Sequence, residues 1–140
     1  MTTKVTELTH DDLVNILSTG LYGCDYLSAE YSTEDYNKIP EDMRMGDCYE
    51  DKLADILLNN GTIKITDYWA EGEVYSCLGK VGDENDESSN VTYTLYLEDF
   101  IRACTKGMKY ATNLLVNEDG DYYDGNSLIQ IAMFGELIYG

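Results

Sequence analysis

Residues 48–67, CYEDKLADILLNNGTIKITD, join a helical pattern directly to a strand pattern and so decide the fold class. Leu53 and Leu57 recur at the spacing of one helix face, and the Asn-Gly pair that follows is a typical helix stop. From residue 62 to residue 67 apolar and polar side chains alternate, which is the period of a half-buried strand. A helix linked this closely to such a strand predicts an α+β domain.

Further strands are predicted on the C-terminal side of this unit. Val74 and Leu78 indicate a second strand, and alternation resumes over residues 91–95. Turn residues separate the three strands, so we expect them to form an antiparallel meander. The run 82–90 between the last two strands is acidic and has no large apolar residue, which predicts an exposed loop.

Helical patterns account for most of the remaining chain. One begins after Thr9 and ends at Gly20, and another begins at Leu97 and is interrupted near Gly107. The segment 21–45 is tyrosine-rich and irregular, with a short helical turn near residues 34–38. The chain, 1–140, is therefore predicted to be a single compact α+β domain, with a three-stranded antiparallel meander packed with three to four helices.

The last helical pattern, residues 127–139, is apolar on nearly all sides. Such a helix is typical of a core or of a subunit interface. A homo-oligomer through the C-terminal helix is one alternative that follows.

Charge is the outlying property of the sequence. Twenty-seven acidic residues stand against nine Lys and Arg, which gives a formal net charge of −18. A folded chain of this size is about 36 Å across, and duplex DNA of that length carries about 21 charges. A comparable field repels nucleic acid and anionic membranes and attracts basic surfaces. The alternative is that the negative charge only keeps the protein soluble.

The cysteines and the N-terminus indicate a reducing compartment. Cys24, Cys48, Cys77 and Cys104 are widely spaced, and no pair has the spacing of a zinc site. The first residues lack the apolar region of a signal peptide, and no apolar run is long enough to span a membrane. We therefore expect free, mostly buried thiols in a cytoplasmic protein.

Catalytic and metal sites have little support in the sequence. His10 is the only histidine and is expected to be solvated in a first helical turn. An acidic stretch beginning at Asn117 resembles a calcium loop but has Tyr122 where glycine is required and Leu128 where glutamate is required. We expect no enzyme activity, no cofactor and no metal.

Tyrosines and carboxylates together predict a surface that receives Arg and Lys side chains by ion pairing and stacking. Two of the four tyrosines at positions 22, 26, 31 and 36 could instead pack onto the core. The predicted partner-binding residues are Tyr26, Glu30, Tyr31, Glu34, Asp35, Asp83, Glu84, Asp86 and Glu87. An alternative ligand-binding set on one predicted helix face is Arg102, Lys106 and Lys109.

Four parts of the chain resemble a loose group of small acidic proteins from phages, prophages and gut bacteria. They are residues 16–26, the unit 48–67, the Leu-Glu-Asp-Phe at 97–100 and the ending IQIAMFGELIYG at 129–140. The ending is the distinctive part, of the type Gln-x-Ala-x-Phe-Gly-Glu-x-x-Tyr-Gly. The resemblance implies a mobile-element origin and carries no catalytic residue over to this chain.

Three functions remain open from the sequence. The first is a phage-type anti-defence inhibitor, in which a DNA-mimicking acidic surface binds a host nucleic-acid-handling protein such as a CRISPR effector. The second is a sponge that sequesters a nucleotide immune signal. The third is a non-catalytic assembly protein that uses its apolar C-terminal helix.

Overall fold

The computed structural model describes residues 7–70, 81–85, 90–117 and 119–139, with 81–85 described by backbone only. Within these residues the chain forms an α+β domain with an antiparallel sheet, as predicted. The helices are α1 (His10–Leu21), α2 (Thr33–Asn37), α3 (Tyr49–Leu58), α4 (Leu97–Lys106), α5 (Met108–Ala111) and α6 (Tyr122–Phe134). The strands are β1 (Leu27–Glu30), β2 (Ile63–Asp67), β3 (Val81–Asn85) and β4 (Asn90–Leu95).

The sheet has four described strands in the order β1-β2-β4-β3, not three in a meander. β2 pairs directly with β4, and this register places Ile65 opposite Tyr93. Both side chains are fully buried on the face that the helices cover. The predicted strand through Val74 and Leu78 lies outside the described residues.

Two segments predicted to lack strands contain one each. Residues 27–30 of the tyrosine-rich segment form β1, which pairs with β2, and residues 81–85 of the predicted acidic loop form β3 at the other edge. An edge strand is held by the backbone of a single neighbour, so its side chains need not alternate. The helical turn predicted near residues 34–38 is α2.

α1 begins with the predicted cap, but it does not end at Gly20. Thr9 and Asp12 exchange side-chain and backbone hydrogen bonds in a capping box. Gly20 lies inside the last turn, where it faces Gly125 of α6. A Cβ at Gly20 would come within 2.6 Å of the Gly125 carbonyl carbon, so glycine permits the close helix crossing.

α6 is the central helix of the core. It begins at Tyr122, earlier than predicted, and every residue from Asp124 to Phe134 is buried within the subunit. These residues of the helix are therefore used inside the subunit, and a homo-oligomer through the C-terminal helix stays a prediction. Among the described residues, no helix combines the length and apolarity needed to cross a membrane.

Candidate functional site

Part of the acidity has a structural role at helix N-termini. Four aspartates occupy the third helical position of α1, α3, α4 and α6, and each accepts a hydrogen bond from its N-cap backbone N–H. A carboxylate there satisfies an otherwise unpaired donor and complements the helix dipole. These residues are Asp12, Asp51, Asp99 and Asp124.

A second group of carboxylates lies on the surface between β1 and α3, and three of them, Glu34, Glu41 and Asp42, also fall in the first turns of short helical segments. We call it the acidic surface: Glu30, Glu34, Glu41, Asp42 and Asp47, all exposed. Residues 30–47 hold six acids and two cations. The local excess of negative charge is therefore concentrated on one short segment.

Both cations of this segment are engaged within the chain. Arg44 donates from Nε to the Ile39 carbonyl oxygen at 3.0 Å, and its guanidinium lies 4.7 Å from the Tyr36 ring centroid. Lys38 lies 3.9 Å from an Asp35 carboxylate oxygen. Neither interaction involves the acidic surface, which keeps its charge available to a partner.

A run of three adjoining clefts borders the acidic surface. The first, of about 250 Å³, is lined by Glu30, Tyr31, Asp35 and Lys64 among others. It shares Asp35 with a second cleft of about 500 Å³, which adjoins a third of about 320 Å³ at the start of α4. All three clefts are open to solvent and have both polar and apolar lining residues.

Three of the predicted partner-binding residues meet in the first cleft, namely Glu30, Tyr31 and Asp35. Glu34 is exposed on α2, one residue before Asp35. The Tyr31 ring packs 5.4 Å from that of Tyr49, and burial, with the charge of Glu30 second, raises the pKa of the Tyr49 phenol. The structure thus brings this half of the predicted set together.

Tyr26 does not lie on that surface, and its predicted contact with a partner stays a prediction. Its ring is buried and stacks on Trp69, with centroids 4.3 Å apart. Its hydroxyl donates to the Asn126 carbonyl oxygen at 2.6 Å, and burial raises its pKa. The tyrosine-rich segment therefore uses this ring to attach to α6.

Two further predicted acids, Asp83 and Glu84, are not on the same sheet edge as the acidic surface. Asp83 and Glu84 lie on β3, and Glu30 lies on β1, which is the opposite edge of the sheet. Strands are spaced about 4.8 Å apart, so these edges are about 14 Å from one another. Asp86 and Glu87 lie outside the described residues.

His10 is buried, not solvated as predicted. Its Nε2 lies 3.5 Å from a carboxylate oxygen of Asp51 and 3.5 Å from one of Asp55. Asp55 also accepts hydrogen bonds from the Met45 N–H at 3.2 and 3.1 Å. The imidazole thus sits between α1 and α3, and its Nε2 has no hydrogen-bond partner in the described chain.

The alternative ligand-binding set does not converge on a pocket. Arg102 pairs with Asp99 at 3.2 Å, and Lys106 donates to the Gly135 carbonyl oxygen. Lys109 lies 5.1 Å from the Tyr110 ring centroid. Only Lys106 contacts the end of α6, whereas Arg102 and Lys109 contact residues of their own helices, and other residues line the three clefts.

The acidic stretch that resembles a calcium-binding loop leads into α6 and supplies its N-cap. Asp121 is the N-cap and accepts hydrogen bonds from the Tyr123 and Asp124 N–H groups. Across the described residues, no three His, Cys, Asp or Glu side chains are arranged to hold a metal ion.

The described cysteines differ in exposure. Cys104 is buried, and burial raises its pKa to about 12, whereas Cys24 is half-buried and Cys48 is exposed. All three are free thiols, as predicted, but only one is fully buried.

Asp67 was not singled out in the sequence, yet it anchors the ring cluster. It is fully buried and accepts hydrogen bonds from the Trp69 N–H at 2.9 Å and the Tyr139 hydroxyl at 2.7 Å. Burial raises its pKa, and these two hydrogen bonds oppose that change. Its sequence position, the end of a strand, gave no signal of this contact.

Comparison of the chain with protein-family models, with curated proteins and with solved structures finds no match in any of the three.

Proposed function

We propose that the protein acts by binding, not by catalysis, and that the acidic surface occupies the basic nucleic-acid-binding surface of a host protein. The observation that carries this proposal is the arrangement of charge on residues 30–47. Its carboxylates are exposed, whereas Arg44 contacts Tyr36 and a backbone carbonyl and Lys38 lies beside Asp35 at the surface. A surface of this kind attracts basic partners and speeds their association.

The arrangement also supports competition with nucleic acid. Carboxylates spaced along an exposed segment present negative charges to Arg and Lys side chains that otherwise contact phosphates. The adjoining clefts offer room for the aliphatic stems of those side chains. The setting we propose is the host-cell cytoplasm, with a CRISPR effector as one example of the target and anti-defence inhibition as the outcome.

Affinity capture at two salt concentrations tests the proposal. The tagged protein is incubated with nuclease-treated bacterial lysate at low and at moderate salt. We expect recovery of a basic nucleic-acid-binding protein at low salt and its loss at moderate salt, because screening weakens exposed charge pairs. A partner retained equally at both salt concentrations would contradict charge mimicry.

A further inference from the structure

Trp69 is the most exposed member of an aromatic patch, which consists of Tyr26, Trp69 and Tyr139. Its side chain is 54% exposed, although tryptophan is usually well buried. Tyr26 stacks beneath it, and Tyr139 meets it edge-on with centroids 5.6 Å apart. The ring is therefore held in place while about half of it remains in solvent.

The patch is held from below by hydrogen bonds. The Tyr139 hydroxyl and the backbone N–H of Trp69 both donate to buried Asp67, which fixes the Tyr139 side chain and the backbone from which the Trp69 ring projects. Side chains fixed in this way lose little conformational entropy when a partner binds. Rigid tryptophan and tyrosine side chains of this type dominate the energetics of protein interfaces.

The chain already uses other rings to receive its own cations. The Arg44 guanidinium lies 4.7 Å from the Tyr36 ring centroid, and the ammonium groups of Lys52 and Lys109 lie 5.1 to 5.9 Å from tyrosine ring centroids. In the part of the chain that the structure describes, no cation contacts Trp69 in this way, although tryptophan is the strongest cation-binding ring. Among the described residues the Trp69 ring therefore has no cation of its own, and it is suited to a cation supplied by another molecule.

Charge identifies the class of that molecule. The protein carries a net charge of −18, and exposed Asp25 directly precedes Tyr26 of the patch. Anionic ligands such as nucleotides are repelled by this field, whereas a guanidinium gains from both the ring and the charge. We propose that the Trp69 patch binds an arginine side chain from a basic segment of the partner protein.

This inference rests on the proposed function, because it assigns the recognition of arginine within the same basic partner. The patch would also distinguish arginine from lysine, which charge alone does not do. An ammonium and a guanidinium are equal in charge, but the planar guanidinium stacks on an aromatic face and the lysine ammonium does not. The patch should therefore prefer arginine over lysine.

Two labelled 12-residue peptides, one of arginine and one of lysine, test this preference. Trp69 is the only tryptophan, so its emission reports on the patch directly. We expect the arginine peptide to change the Trp69 emission and to bind at least about threefold more tightly than the lysine peptide. In Trp69→Ala, peptide anisotropy should show that the two affinities become equal.

Matched variants separate the patch from general charge and from loss of folding. Tyr123→Ala removes an aromatic side chain of similar exposure, 51%, that packs on Tyr110 instead, and it should keep the arginine preference. Trp69→Phe keeps a ring stacked on Tyr26, so it should keep part of the preference for the arginine peptide. Neutralising the acidic surface with Glu34→Gln, Glu41→Gln and Asp42→Asn should lower the affinity for both peptides by the same factor.

Several outcomes would overturn the inference. Equal binding of both peptides with unchanged Trp69 emission would exclude the patch while leaving the proposed function intact. A Trp69 emission change that depends only on the concentration of this protein would assign the patch to a second copy. If the arginine preference holds but neutralising the acidic surface has no effect, the patch stands and the proposed role of the acidic surface fails.

Discussion

The indole of Trp69 stacks on the phenol ring of Tyr26 with an interplanar angle of 19°. The contact joins the end of β2 to the segment before β1, and Tyr26 in turn reaches α6 through the Asn126 side chain. One pair of rings thus connects the sheet to the central helix and also forms the exposed aromatic patch. Stability and the proposed arginine recognition therefore depend on the same ring cluster.

A substitution at Gly20 tests the close crossing of α1 and α6. Gly20→Ala should lower the free energy of unfolding by about 2 kcal/mol or more, because the added methyl meets the backbone of Gly125 and one of the two helices must shift. Ser18→Ala, in the same helix and half-buried, is the control. Chemical denaturation measures both, and equal stability of the two variants would contradict the crossing.

His10 tests the contact between α1 and α3. His10→Ala should lower the free energy of unfolding by about 2 kcal/mol, because it removes a buried side chain beside the Asp55 carboxylate. In an Asp55→Asn background the same substitution should cost measurably less, since neighbouring groups couple. Additive effects in the double-mutant cycle would show that the two side chains do not interact.

Asp67 tests the pH dependence of stability. Burial raises the pKa of this carboxyl in the folded protein above the ordinary 3.8, so its protonated form favours the fold. That contribution is complete below the unfolded pKa and is lost as pH rises through the folded pKa. The free energy of unfolding falls by about 1.4 kcal/mol for every unit by which the Asp67 pKa in the folded protein exceeds that in the unfolded protein. The stability of the wild type relative to Asp67→Asn should therefore fall as pH rises.

Tyr139→Phe extends the pH experiment. It removes a hydrogen bond that lowers the Asp67 pKa, so the loss of stability should move to higher pH. Denaturation curves collected across the acidic to neutral range measure this movement. A wild-type stability that rises relative to Asp67→Asn with increasing pH would reverse the sign and refute the assignment.

The thiols should differ sharply in reactivity. The thiolate is the reactive form, and burial raises the pKa of Cys104 to about 12, so native Cys104 should be inert to a thiol reagent at neutral pH. Exposed Cys48 should react within the mixing time of the assay. Variants that retain a single cysteine isolate each rate, and rapid labelling of native Cys104 would contradict its burial.

The periodic elements were predictable from sequence because their side chains face one core. α1, α3, α4, β2 and β4 all carry such a pattern. β3 could not be predicted because VGDEN has no alternation and is held by the backbone of β4. The α+β class followed from the periodic elements alone.

Only those residues of the candidate site that are close together in the chain could be predicted to meet. Glu30, Tyr31 and Asp35 lie within one short segment, and they meet in one cleft. Trp69 and His10 could not be assigned because their contacts join residues that are distant in the chain. The contacts of Tyr26 were not predictable for the same reason, since they lie at the end of β2 and on α6.

Displacement by DNA is the most direct test of the central claim. The wild type, the neutralised acidic surface (Glu34→Gln, Glu41→Gln, Asp42→Asn) and a control with equal charge change at other exposed sites (Asp11→Asn, Asp119→Asn, Glu136→Gln) are used to capture protein from nuclease-treated lysate. We expect the wild type and the control to retain a basic nucleic-acid-binding protein that duplex DNA releases, and the neutralised variant to lose it. Retention by all three variants, or a partner that DNA does not displace, would contradict the account.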